Sequence, residues 1–115
     1  MKLVVLTAAY PSPAEPERAV FIESLTLALA GGAGGRKPMD VSVVAPRVHA
    51  SDPLRETRWG VPVRRFAYPS AGKRLKEIQR PTPFLLAAYV ASGLRDLVEE
   101  VRCRAADAVL CHWVL

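Results

Sequence analysis

Lys2 to Ala9 is an almost unbroken apolar run, closed by Pro11. A short run that does not alternate with polar residues predicts a strand buried on both faces. Tyr10 to Glu17 holds three prolines and no helical pattern, which predicts a loop. Apolar positions then return at helical spacing from about Arg18 to Ala30. Phe21, Leu25, Ala28 and Leu29 form the expected buried stripe, widened by Ile22. Glu15, Glu17 and Glu23 fall near the positive end of this helix, where its dipole favours them. The run GGAGG stops it.

A second strand is expected over Val41 to Ala45, closed by Pro46, followed by a polar stretch from Arg47 to Arg58. Val61 to Phe66 reads as a third strand, with Pro62 at its margin, where a missing N–H is tolerated. Pro69 to Pro83 reads as a loop holding a short helix around Lys73 to Gln79. A long helix follows from Phe84 to about Arg102, with Leu86, Val90, Leu94, Leu97 and Val101 repeating at three and four residues. Ala108 to Trp113 completes the set as a fourth strand. Strands that are apolar on both sides need helices on both faces. The pattern therefore predicts an α/β fold: an open, mostly parallel sheet with right-handed crossovers and flanking helices.

In such sheets ligands sit beyond the carboxyl ends of the strands. Three stretches meet that rim: Thr7 to Arg18, Arg47 to Arg58, and His112. The first turn, TAAYPSPAEPERAVF, contains no glycine, so it lacks the G-x-G-x-x-G fingerprint, and no Walker A lysine pattern is present. The glycines come after the first helix, where they cannot cradle a phosphate at its N-terminus. A dinucleotide cofactor and P-loop chemistry are disfavoured. The proline-stiffened loop instead suits lining a cleft, with Tyr10, Pro11 and Arg18 as substrate contacts from the first loop and Arg47 and His49 from the second. His112, at the carboxyl end of the fourth strand, can hydrogen-bond a hydroxyl or, protonated, stabilise a departing phosphate. His49 has no partners at metal-ligand spacing, so no metal site is expected. Asp52 and Glu56 are expected to pair with Arg55 and Arg58 as solvated ions.

Composition refines this picture. The chain has 115 residues, enough for one domain with one modest core. Half its residues are hydrophobic, and Lys and Arg outnumber Asp and Glu by 16 to 11. That balance favours anionic partners. The excess is concentrated between Arg47 and Arg80, where KRLKEIQR places Lys73, Arg74, Lys76 and Arg80 on a basic amphipathic segment. Such a surface suits an anionic membrane. No zinc motif, aromatic platform or helix-turn-helix signature accompanies it, which disfavours nucleic acid. Cys103 and Cys111 make no disulfide framework and are expected as buried free thiols. The opening apolar run is too short for a signal segment, and no stretch approaches the roughly 20 apolar residues of a membrane span. A soluble, cytoplasmic protein is the expectation, with the inner face of the membrane as the place where the basic segment could hold it.

Three segments together resemble the N-terminal half of GT-B glycosyltransferases of the family-4-like kind: KLVVLTAAYPSPAEPERAVFIESLTLALA, VSVVAPRVHASDPL and DAVLCHW. The resemblance covers essentially the whole chain and is least specific over Ala71 to Thr82. It implies a sugar transferase built of two Rossmann-like domains facing across a cleft. The N-terminal domain holds a sugar, glycan or lipid-linked acceptor. The other domain holds the nucleotide-sugar donor, and no metal or other cofactor is required. The chain then corresponds to the acceptor-side domain of a longer enzyme and is expected to be inactive alone. The resemblance also implies strand order 3-2-1-4 with the first strand central. His112 occupies the second position of the H-x-H that the family often carries near the reaction centre, and Leu110 stands at the first. PSPAEPER replaces the family's glycine-rich first loop. The fourth strand would be left as an uncovered edge, which predicts self-association. The alternative is a stand-alone, non-catalytic α/β binding or interaction module.

Overall fold

The computed structural model describes residues 1–32, 38–70 and 82–112. The elements in chain order are β1 (Lys2–Thr7), α1 (Val20–Gly31), β2 (Asp40–Arg47), β3 (Arg55–Arg58), β4 (Val61–Ala67), α2 (Pro83–Arg104) and β5 (Ala108–His112). They build one five-stranded sheet in the order β3-β4-β2-β1-β5. β1 pairs in parallel with β2 and β5, β2 pairs in parallel with β4, and β3 runs antiparallel to β4. This corrects the expected fold. The domain is α/β, but its sheet is mixed and five-stranded, not the mostly parallel, Rossmann-like, four-stranded sheet of order 3-2-1-4 that the GT-B resemblance implied. The finding responsible is β3. The stretch RETR, expected as irregular, turns back on β4 through Trp59 and Gly60, both with positive φ (51° and 81°). Two consecutive left-handed residues match the twist of a tight hairpin.

Successive strand residues point to opposite faces, so each apolar strand feeds two cores. On the α1 face, Leu3, Val5, Val41, Val43, Ala45, Val61 and Val63 pack with Tyr10 and Ile22. On the α2 face, Val4, Val44 and Phe66 pack with Tyr68, Leu85 and Tyr89. The rings of Phe66 and Tyr68 stand edge-on to Tyr89, with centroids 5.2 and 5.0 Å away. Burial pushes the Tyr89 phenol up to about 12, with Tyr68 adding to the shift. Gly93 explains how α2 comes so close. A Cβ there would lie 3.3 Å from the Phe66 ring.

α2 begins with a side-chain cap, Thr82 Oγ1 accepting the Leu85 N–H at 3.1 Å, and Pro83 follows in the first turn. α1 has no side-chain cap and starts after Ala19 at φ 53°. Its buried residues are Ile22, Glu23 and Thr26, while Phe21 is 64% exposed and Leu25 is 44% exposed. Of the expected stripe, Ile22 is buried and Leu29 packs on the core, while Phe21 and Leu25 are turned toward solvent. The reason is polar pairing across elements: Glu23 receives Arg58 from β3, and the Thr26 hydroxyl lies 3.0 Å from that of Tyr10.

Both helices lean to one side of the sheet. α1 packs over β2 and β4, and α2 over β1, β2 and β4. β5 is left at the margin, with Val109, Leu110 and Cys111 exposed. Cys103 is exposed as well, so neither thiol is buried as expected. Among the described residues no helix is long and apolar enough to cross a membrane. The basic segment carrying Lys73, Arg74, Lys76 and Arg80 lies outside the described residues, as do the short helix expected there and Trp113.

Candidate functional site

The carboxyl ends of β1, β2 and β5 share one end of the sheet because these strands are parallel. Two loops emerge there, 8–19 after β1 and 48–54 after β2, and His112 lies beside them. The first loop folds on itself. The Ser12 N–H donates to the Glu15 carbonyl at 3.2 Å, and the Glu15 N–H donates back to the Ser12 carbonyl and hydroxyl, both at 3.1 Å. The Arg18 N–H also donates to the Glu15 carbonyl, at 3.2 Å. These bonds fix Glu15 within the first loop.

Glu15 is the hub of the site. Its carboxylate pairs with Arg18 three residues on and lies 2.8 Å from His49 Nε2 of the second loop. The His49 contact is not a well-aligned hydrogen bond. Both side chains are roughly a third exposed, while the His49 Nε2 atom itself is buried. Beneath it Asp52, only 3% exposed, accepts the Ala14 N–H at 3.0 Å and so ties the two loops together. Asp52 is thus a buried loop clamp, not the solvated ion expected.

Arg65 of β4 is the second clamp. It is 2% exposed, and its guanidinium donates to the carbonyls of Pro11 at 2.9 Å and Pro53 at 3.3 Å and to the Glu56 carboxylate. One buried cation satisfies acceptors from both rim loops and from β3. A planar fork with five donors suits that task. Glu56 pairs with Arg65 and Arg58 pairs with Glu23, which replaces the expected pairing of Asp52 and Glu56 with Arg55 and Arg58. The Ser70 hydroxyl donates to the Val48 carbonyl at 2.5 Å, holding the second loop from the far side.

The sequence-predicted contacts divide accordingly. Arg18 and His49 meet at Glu15. Pro11 is buried and offers its carbonyl to Arg65. Tyr10 is 5% exposed and belongs to the α1-side core, its hydroxyl engaged with Thr26. Burial pushes its phenol up, and the bond to Thr26 partly offsets this. Arg47 ends β2, half-buried at the same rim. His112 stands on the other side of β1. It is in register with Thr7, and its ring meets Phe21 edge-on with centroids 5.6 Å apart. The Thr7 hydroxyl, buried at the end of β1, donates to the Ala9 carbonyl at 3.0 Å.

The clamps leave only about 10 Å³ of crevice between the loops, bordered by Ala9, Ser12, Glu15, Arg18, His49 and Asp52. The larger space opens outward. A shallow hollow of about 550 Å³ lies along 14–19, and Glu15 and Arg18 border both spaces. Among the described residues no group of three or more His, Cys, Asp or Glu is placed to hold a metal ion. Sequence reasoning missed Glu15, Asp52 and Arg65. The signal for Glu15 was local, since SPAEPER puts a carboxylate three residues before an arginine. No family model matches the chain, and neither do any curated protein or solved structure.

Proposed function

We propose that the chain is the acceptor-side part of a glycosyltransferase, binding a hydroxyl-rich acceptor in the hollow along the first loop at the rim. One observation carries this reading: a half-exposed carboxylate, Glu15, is fixed between Arg18 and His49 at the mouth of an open hollow. A carboxylate accepts hydrogen bonds from paired sugar hydroxyls, and flanking guanidinium and imidazole N–H groups donate to ring and hydroxyl oxygens. The hollow is wide and shallow, which suits one or two sugar rings rather than an enclosed cofactor. The resemblance of three segments to family-4-like glycosyltransferases supports the same class. His112 sits across β1 from this cluster, where a transferred sugar would meet the acceptor. The nucleotide-sugar donor would be held by protein outside these residues.

Titration calorimetry with a panel of methyl glycosides and disaccharides tests the reading. One member should bind, and Glu15→Gln should weaken it about tenfold, the scale of one hydrogen bond to a charged group. Ser24→Ala, an exposed change on α1, should leave binding unaltered. No binding by any glycoside, or binding indifferent to Glu15, would overturn the acceptor assignment. The 115-residue chain should transfer no sugar from any nucleotide-sugar donor. Turnover that His112→Ala abolishes would show that the rim is itself a complete catalytic centre.

A further inference from the structure

α2 is apolar on more than the face it buries. Leu85, Tyr89, Asp96 and Glu100 point into the protein. Leu86, Val90, Leu94 and Val98 recur every four residues on the flank that overlooks β1 and β5, and they are 38 to 56% exposed. Ala87 and Ala91 lie exposed beside them. On the opposite flank Glu99 reaches Arg64 of β4. Leu97 and Val101 extend the apolar flank down to Leu6 of β1. A groove of about 170 Å³ runs between Leu6, Phe66, Val90, Leu94 and Leu97. Val109 of β5, 41% exposed and in register with Val4 of the α2-side core, continues that floor toward the sheet margin. A helix apolar this far around its circumference is a helix built to be covered.

We propose that a second copy of this chain covers it, the two α2 helices packing antiparallel through Leu86, Val90, Leu94 and Val98. Three features select a second copy. An apolar row that meets its own copy running in the opposite direction makes an isologous contact about a two-fold axis, the commonest symmetry of homo-oligomers. The small side chains of Ala87 and Ala91 permit close approach of the backbones. The uncovered flank with Val109 exposes on the order of 400–500 Å² of surface per copy, so full coverage by a second copy reaches at most about 1,000 Å², the lower bound of a specific interface. The row runs about 18 Å at 1.5 Å per residue, long enough for four side chains from each copy to interdigitate. It carries no Lys or Arg, so an anionic lipid surface finds no charge to recruit it.

Sedimentation velocity over the micromolar range tests the proposal on the whole chain. The wild type should pass from monomer to dimer with concentration. Leu94→Arg and Val98→Glu, both at exposed positions, should each weaken the dimer at least tenfold with circular dichroism unchanged. A cross-link supplies an independent reading. With Cys103 and Cys111 replaced by Ser, Ala91→Cys, beside the midpoint of the row, should form an intermolecular disulfide on mild oxidation. Glu99→Cys, on the opposite flank, should not. A monomer at every concentration would overturn the proposal. So would a dimer that persists in Leu94→Arg and Val98→Glu, equal cross-linking from both flanks, or a wild type that stays monomeric and binds phospholipid vesicles.

Discussion

The two margins of the sheet are finished in opposite ways. On one side β3 is four residues long, reads RETR and runs antiparallel. Its Glu56 is bound to Arg65, and its Arg58 is bound to Glu23 of α1. A short, charged, cross-linked strand is a poor template for further pairing. On the other side β5 reads AVLCH and carries no Lys, Arg, Asp, Glu or Pro. The helices lean away from it, toward β2 and β4. The charges that close the β3 margin are the same ones that tie the rim loops together, since Arg65 serves both. Rigidity, site and closed margin are therefore one construction, and the β5 margin with the free flank of α2 is the adaptable part. The chain spends its polar pairing where it holds loops in place and leaves apolar surface where a partner is to be met.

The largest expected effect breaks the closed side. Arg65→Leu removes a buried cation and strands the Pro11 carbonyl and the Glu56 carboxylate. The loss should be about 3–5 kcal/mol in urea unfolding, the range for breaking a buried pair from one side. A loss under about 1 kcal/mol would mean that Arg65 does not organise the loops.

Next comes alkaline titration. Burial raises the Tyr89 phenol from its ordinary 10.0 to about 12, and Tyr10 moves in the same direction. The folded state thus keeps protons that the unfolded state releases. Stability should be fully present below pH 10, fall between pH 10 and about 12, and lose about 2–3 kcal/mol through Tyr89. Tyr89→Phe should flatten that fall, measured by denaturant midpoints across the alkaline range. An unchanged slope would place the effect elsewhere.

Glu23→Gln weakens the partly buried link between α1 and β3 and should cost about 1–2 kcal/mol by the same assay. The smallest effect belongs to the open side. Leu110→Lys, in β5, should cost less than about 1 kcal/mol, because 37% of that residue is exposed in the isolated chain. Unfolding by that change would mean β5 is already part of a closed core.

The sequence made some of this legible. Continuous apolar runs are visible as such, so β1, β2, β4 and β5 fall where those runs lie. β3 was hidden because RETR alternates nothing apolar, and its one signal was the short Trp59–Gly60 turn before VPVRR. The orientation of α1 was misread because periodicity weighs side chains one by one. Glu23 and Thr26 are buried only because Arg58 and Tyr10 come from elsewhere to meet them. The rim divides in the same way. Arg18, His49 and His112 were nameable from residue type and position. Arg65 looked like one more surface cation in a basic stretch, and only the folded chain brings Pro11, Pro53 and Glu56 around it. Burial of a charge is a long-range property that composition does not carry.

Amide hydrogen exchange along the sheet tests the contrast between its margins most directly. At low concentration the amides of β2 and β4 should exchange only through global unfolding, while those of β5 exchange orders of magnitude faster through local opening. Raising the concentration should slow exchange in β5 and the middle of α2 and leave β3 unchanged. Protection of β5 equal to that of β2 in the dilute monomer, or a β5 indifferent to concentration, would contradict the account.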